Sequence, residues 1–155
     1  MRFDLVRETL ATTNLGDLRP DSLVNIERSL RLGDEVGGHL LSGHVSATVP
    51  VVEDRAEPGY RRLSVRIPGF WMRYLSLKGF VALNGASLTV AELDREASTV
   101  AVSLIPETLK RTTFGDIRVG DRLNLEVDPQ TQAVVDTVRS MLPDLLGSTR
   151  PSSTQ

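Results

Sequence analysis

Hydrophobic and polar positions alternate in short runs along most of this chain, and each run stops at a cluster of turn-forming residues. Residues 1–7 alternate well enough for a strand, and 8–18, with Thr, Asn, Gly and Asp, read as a turn-rich connector. Residues 23–30 suit a half-buried strand, and Gly37-Gly38 ends the loop after it, where glycine permits positive φ or close backbone approach. Residues 39–52 form another β-type run, Pro58-Gly59 marks a turn, and 63–67 make a short strand ending at Pro68. The FWMRYLSL stretch at 70–77 predicts a helical turn packing Phe70, Tyr74 and Leu77. Asn84-Gly85 between 80–83 and 87–91 predicts a hairpin with a type I′ turn, because both positions tolerate positive φ. Residues 100–105 and 123–127 complete the strands, and 108–121 echo the first connector. Beyond Asp128-Pro129 the period changes. Val134, Val135, Val138, Met141 and Leu142 recur at helical spacing, so 130–142 predict an amphipathic helix suited to packing on another subunit.

Many short strands with frequent turns predict a small antiparallel barrel or sandwich. An internal repeat refines this. Displacing the sequence by 99 positions (Glu107 against Glu8) lays 3–27 on 102–126 without a gap. Leu5, Glu8, Thr9, Leu10, Thr13, Gly16, Asp17, Arg19, Asn25 and Glu27 then meet identical residues. The second copy has a long β-type run upstream, whereas Met1 already falls on Val100, so the expectation is one complete domain preceded by the last third of another. The expected division is residues 1–36 as the partial copy, 37–128 as the complete barrel, 129–146 as the helix, and 147–155, rich in Ser, Thr and Pro, as a disordered tail.

Composition narrows function mostly by exclusion. Among 155 residues, 25% are charged with both signs interspersed, and the net charge of −2 offers no basic footprint for nucleic acid or an anionic membrane. No apolar run reaches the roughly 20 residues of a membrane span, and the default expectation is a cytoplasmic protein. Cysteine is absent, which removes disulfides, thiolate nucleophiles and cysteine metal sites.

His39 and His44 are the only histidines. Five apart on one strand they would point to opposite faces and could not share a metal ion; His44, beside Gly43, suits a pocket. Lys78 on position alone reads as a solvated lysine. Ser87 and Thr89 share one face of the hairpin's second strand, either through the β-propensity of Thr or as two hydroxyls that bind a polar ligand. The pairs Glu8-Thr9 and Glu107-Thr108 lean toward a pocket, and Asp17 and Asp116, next to glycines, toward turn chemistry. Asp128 is a helix N-cap or a pocket carboxylate. No phosphate-loop motif occurs.

Four stretches, TNLGDL, VNIERSLRLGDEVGGHLLSGHV, KGFVALNGASLTV and SLIPETLKRTTFGDIRVGDRLNLEVDPQTQAVVDTV, together resemble riboflavin synthase from about Phe3 to Leu142. The resemblance implies an all-β fold: a six-stranded antiparallel Greek-key barrel, preceded here by a partial copy of the same barrel and followed by a helix through which the family trimerises. It implies dismutation of two 6,7-dimethyl-8-ribityllumazine molecules, in which one donates a four-carbon unit to the other. The products are riboflavin and 5-amino-6-(D-ribitylamino)uracil, and no metal or other cofactor is needed. The positions matching the family's second-barrel site are Gly43, His44, Val45, Lys78, Ser87, Leu88, Thr89, Ile105, Pro106, Glu107, Thr108, Leu109 and Lys110. Asp128 lies near them, and from the first barrel Asp4, Leu5, Val6, Arg7, Glu8 and Thr9 match. By resemblance Ser87, His44 and Asp128 assist the proton transfers. The family's opening segment and its pocket cysteine have no counterpart here, which leads to the expectation that Met1 is an internal start and the natural protein is longer. A non-catalytic lumazine- or flavin-binding protein of the same fold is the alternative, and a bare oligomerisation module the weakest reading.

Overall fold

The computed structural model describes residues 2–147, so of the tail expected at 147–155 only Gly147 is described, as the last residue of the C-terminal helix, and the rest lies outside the described residues. Six strands close into an antiparallel barrel, β1 (Ala47–Glu57), β2 (Tyr60–Arg66), β3 (Phe80–Leu83), β4 (Ala86–Asp94), β5 (Thr99–Leu104) and β6 (Arg122–Val127), in the order β1-β2-β5-β4-β3-β6. Closure leaves none of these strands with an open edge. Period-two alternation aims one set of side chains inward: Val49, Leu63, Val65, Val81, Leu83, Val90, Val102, Leu104, Leu123 and Leu125 are wholly buried. Phe114 adds a fully buried ring. At the far end of β2, Ile67, Met72 and Leu75 are buried.

The β3–β4 hairpin turns at Asn84 (φ 46°) and Gly85 (φ 77°), both in the left-handed region that the type I′ turn requires. The predicted turn at 70–77 is a 3-10 helix, Trp71–Tyr74, and its packing differs from expectation. Phe70 and Leu77 are exposed while Met72, Tyr74 and Leu75 are buried, because the three-residue turn puts Met72 and Leu75 on one side. The predicted helix is α3 (Pro129–Gly147), longer than expected and with Pro143 inside it. Its Val135 packs on the barrel core, and Tyr74 donates its hydroxyl proton to Asp136 at 2.7 Å. Val134, Val138, Met141 and Leu142 stay exposed.

The region before the barrel departs most from expectation. Neither 2–6 nor 23–30 forms a strand. A strand's backbone groups need a neighbour, and the barrel has used its own edges in closing. The structure that forms instead is local. Helix α1 (Arg7–Thr12) is followed by a 3-10 turn, Asn14–Asp17; helix α2 (Pro106–Arg111), 99 residues later, is followed by the 3-10 turn Thr113–Gly115. In each, a threonine ends the helix: Thr13 bonds Thr9 O at 2.6 Å and accepts from Leu15 N, and Thr112 bonds Thr108 O at 2.6 Å and accepts from Phe114 N. The two copies also bond each other reciprocally. Asn14 N donates to Asn124 Oδ1 (2.7 Å), and Thr113 N, its counterpart, donates to Asn25 Oδ1 (2.8 Å). Asn84 joins them, accepting from Asn14 Nδ2 and Asn124 N on its side-chain oxygen and from Asn25 Nδ2 on its carbonyl. Two contacts that exchange under the repeat define an approximate two-fold relation between the copies.

Candidate functional site

The site follows from strand register. Ala82 on β3 stands between Ser87 on β4 and Glu126 on β6, and Phe80 stands opposite Thr89. Since Val81, Leu83, Leu88 and Val90 fill the barrel, the alternating residues Phe80, Ala82, Ser87, Thr89 and Glu126 share its outer face. On that face Ala82 and Glu126 are nevertheless buried, because a strap formed by residues 38–46 crosses the three strands. This segment was expected to begin a strand; β1 starts only at Ala47, and Gly38 (φ 81°) and Gly43 (φ 75°) turn the backbone out of the extended region.

Each end of the strap is tied to the face beneath it. At one end Ser42 N, Ser42 Oγ and Gly43 N all donate to Glu126 Oε1, at 2.7, 2.8 and 3.2 Å. At the other, His39 N donates to Ser87 Oγ at 3.1 Å, and His39 Nδ1 lies 2.6 Å from the same oxygen. The imidazole stacks on Phe80, with ring centroids 4.9 Å apart and planes 17° from parallel. Gly38 has no room for a side chain: a Cβ there would lie 2.4 Å from Ser87 Oγ. His39 Nε2 is buried without a hydrogen-bond partner among the described residues.

His44 is therefore not at Ser87. It is exposed, with Nδ1 2.9 Å from Ser42 Oγ, and neither histidine lies on a strand as expected. Asp128 begins α3, accepting from Gln130 N (3.3 Å), Thr131 N (3.1 Å) and Thr131 Oγ1 (2.6 Å). Burial works to raise its pKa, but the Thr131 hydroxyl, the two backbone N–H groups and the charge of His39 outweigh it and hold the carboxyl below its ordinary value. Of the two readings left open for Asp128, the hydrogen bonds to Gln130 and Thr131 show the helix cap.

Gly43, His44 and Val45 lie at the end of the strap, Lys78 (φ 65°, exposed) precedes β3, and Ser87 and Thr89 lie on the outer face. Leu88 points into the barrel, so only its backbone faces the site. Ile105 comes directly after β5 and Pro106, Glu107, Thr108, Leu109 and Lys110 form α2, where exposed Glu107 pairs with Arg111. Asp4, Leu5, Val6, Arg7, Glu8 and Thr9 lie in the first copy, and among the described residues no hydrogen bond joins them to the hairpin. Two open clefts lie elsewhere, one of about 610 Å³ between the copies (Asn14, Asp17, Asn84, Asp116, Arg122) and one of about 410 Å³ outside β1, β2, β4 and β5 (Glu53, Arg62, Ser64, Glu92). Among the described residues no group of His, Asp or Glu is arranged to hold a metal ion, and no helix is long and apolar enough to cross a membrane.

Sequence reasoning missed His39, Phe80 and Glu126. The signal for Glu126 was present: in LNLEV a carboxylate alternates outward with Asn124, although a charge between buried neighbours needs fixed partners. Gly37-Gly38 immediately before His39 signalled a close approach, without saying to what.

Comparisons with known proteins converge on this region. The family model for the lumazine binding domain matches residues 42–128. Riboflavin synthase of Escherichia coli (strain K12) is 47% identical over 141 residues, covering 90% of this chain and 65% of the relative. The Chlamydia pneumoniae riboflavin synthase is 46% identical over 140 residues, covering 90% and 67%. This chain thus spans about two thirds of the length of these relatives. Among solved structures, LumP complexed with 6,7-dimethyl-8-(1'-D-ribityl) lumazine superposes with a TM-score of 0.68 at 20% identity, over 79% of this chain and 64% of that one. At that identity the likeness is one of fold.

Proposed function

Because this chain belongs to the riboflavin synthase family, we propose that it takes part in the dismutation of two 6,7-dimethyl-8-ribityllumazine molecules to riboflavin and 5-amino-6-(D-ribitylamino)uracil. The observation that carries this reading is the 46–47% identity to riboflavin synthases across 90% of the chain. The outer face of the β3–β4 hairpin supports it with groups suited to a polar aromatic ligand: an exposed aromatic ring at Phe80, two hydroxyls at Ser87 and Thr89, and Lys78 before the hairpin. One lumazine lies on this face, between the strap and Ile105–Lys110, and the residues Asp4–Thr9 serve a second lumazine at a subunit contact. Stacking two lumazines in register supplies most of the acceleration, since it turns a bimolecular step into an intramolecular one. Proton transfer at the 7-methyl group adds acid–base assistance, with Ser87 touching the ligand and Asp128 near it.

The working form is a homotrimer in the cytoplasm. Val134, Val138, Met141 and Leu142 form an uncovered stripe on α3, spaced to pack against the same stripe of neighbouring copies.

The test is incubation of the chain with 6,7-dimethyl-8-ribityllumazine while riboflavin is followed by absorbance and fluorescence. Riboflavin above the uncatalysed background is the expected result. Tight binding with no riboflavin would overturn the enzymatic reading in favour of a lumazine-binding protein.

A further inference from the structure

We infer that His39, and not His44, is the histidine that serves Ser87, as a positioning residue that takes up the hydroxyl proton when Ser87 accepts one from the ligand. This rests on the lumazine reading of the hairpin face, and four observations carry it. His39 Nδ1 lies 2.6 Å from Ser87 Oγ, whereas His44 is exposed and bonded to Ser42. The Phe80 ring holds the imidazole at 4.9 Å, and the absence of a side chain at Gly38 lets the strap come down onto the serine. Ser87 Oγ already accepts the His39 backbone N–H at 3.1 Å, so its own proton needs an acceptor, and Nδ1 is the one in reach. That assignment leaves the ring proton on Nε2, which is buried without a partner among the described residues, and an unsatisfied buried group of this kind requires a functional explanation.

The step balances. A C–H bond of the lumazine 7-methyl group breaks and its electron pair stays on the lumazine. Ser87 Oγ takes that proton while its own passes to His39 Nδ1. The ring becomes an imidazolium and Ser87 remains a neutral hydroxyl. Val81, next to Phe80, pairs with Val127, next to Asp128, so Phe80 and Asp128 lie at the same end of the β3–β6 ladder.

Three measurements on the intact chain test this. The ¹⁵N NMR signals of His39 without ligand should report the Nε2–H tautomer, with Nδ1 shifting in Ser87→Ala; an Nδ1–H tautomer would overturn the pairing. Lumazine fluorescence gives the affinity of each variant. Deuterium exchange into the 7-methyl group, which needs only one bound lumazine, gives the proton-transfer rate. His39→Gln should slow the protein-catalysed exchange by about 100-fold with the dissociation constant within about 3-fold of the wild type, and His44→Gln should slow it far less. Equal losses in the two variants, no loss in His39→Gln, or wild-type binding with no exchange above buffer would each overturn the role. Failure of the wild type to bind lumazine would overturn the reading of the site instead, and the tautomer signal would still decide the pairing.

Discussion

Residues 7–25 and 106–124 carry the same local structure in two different settings. Both fold a six-residue helix, a threonine hinge and a 3-10 turn, and both close a later turn with a side chain bonded to a backbone N–H: Ser22 Oγ accepts from Arg19 N, and Asp121 Oδ2 from Arg118 N. Short-range hydrogen bonds of this kind form wherever the sequence supplies them. The settings differ on either side. The second copy sits between β5 and β6, whose partners lie in the barrel, whereas 2–6 and 23–30 in the first copy have no ladder. Exposure differs accordingly: Leu23, Ile26 and Leu30 are open to solvent, while Leu125, the counterpart of Ile26, is wholly buried. The same turn chemistry thus makes a connector in both places, and only long-range pairing makes a strand.

Removing the anchors of only one copy should separate them most strongly. Phe114 is fully buried, and Leu15 occupies its place in the first copy only half-buried. Phe114→Ala should cost about 3–5 kcal/mol in chemical denaturation and Leu15→Ala under about 2 kcal/mol; equal costs would mean that the first copy shares the core. Arg61 comes next. It is paired with Asp54 at 2.6 Å and donates to the carbonyls of Phe114, Gly115 and Ile117, tying the second copy's turn to β2. Both side chains are mostly buried, so Arg61→Ala, which strands Asp54 and three carbonyls, should cost about 3 kcal/mol. An amide-exchange measurement should show 113–117 opening while 14–18 is unchanged.

Asn25→Ala and Asn124→Ala sharpen the comparison at their reciprocal contact. Each removes the acceptor for the other copy's turn, and each should cost about 1–2 kcal/mol. Faster exchange at Thr113 N in the first variant and at Asn14 N in the second is the expected pattern. If only one amide opens, the two contacts are not equivalent.

How much of this was legible in the sequence depended on range. The hairpin at Asn84-Gly85 was readable because its turn needs positive φ from two adjacent residues, and the strand alternation showed which side of β3, β4 and β6 faces inward. The repeat located the copied turns. The strands assigned to 1–7 and 23–30 do not form among the described residues, because alternation signals one apolar face but not the presence of a partner. His39 was misjudged for a related reason: its importance comes from meeting Ser87 and Phe80, 48 and 41 positions away, across a strap that reads locally as more strand. Ser87 itself was legible as one of two hydroxyls on a common face, while for Glu126 the outward alternation was legible and its burial beneath the strap was not.

The smallest expected effect lies just beyond the C-terminal end of each copy. Asp128 caps α3, whereas Ser29, its counterpart 99 residues earlier, leads into no helix. Asp128→Ala should therefore cost about 1 kcal/mol and Ser29→Ala almost nothing. The cap also has a defined acid dependence. The folded-state pKa of Asp128 lies below its ordinary value of 3.8, so the carboxylate's contribution is fully present above that value and is lost as pH falls through the lower folded-state one. Asp54, which the hydrogen bond from Arg61 also holds low against its burial, loses its contribution in the same direction, so a fall in wild-type stability in acid combines the two groups. The difference between wild type and Asp128→Ala isolates the cap: denaturation midpoints should be separated at neutral pH and converge below the ordinary carboxylate range. A separation that persists in strong acid would assign the effect to packing at the start of α3, and a separation that grows would reverse the sign argued from the capping hydrogen bonds.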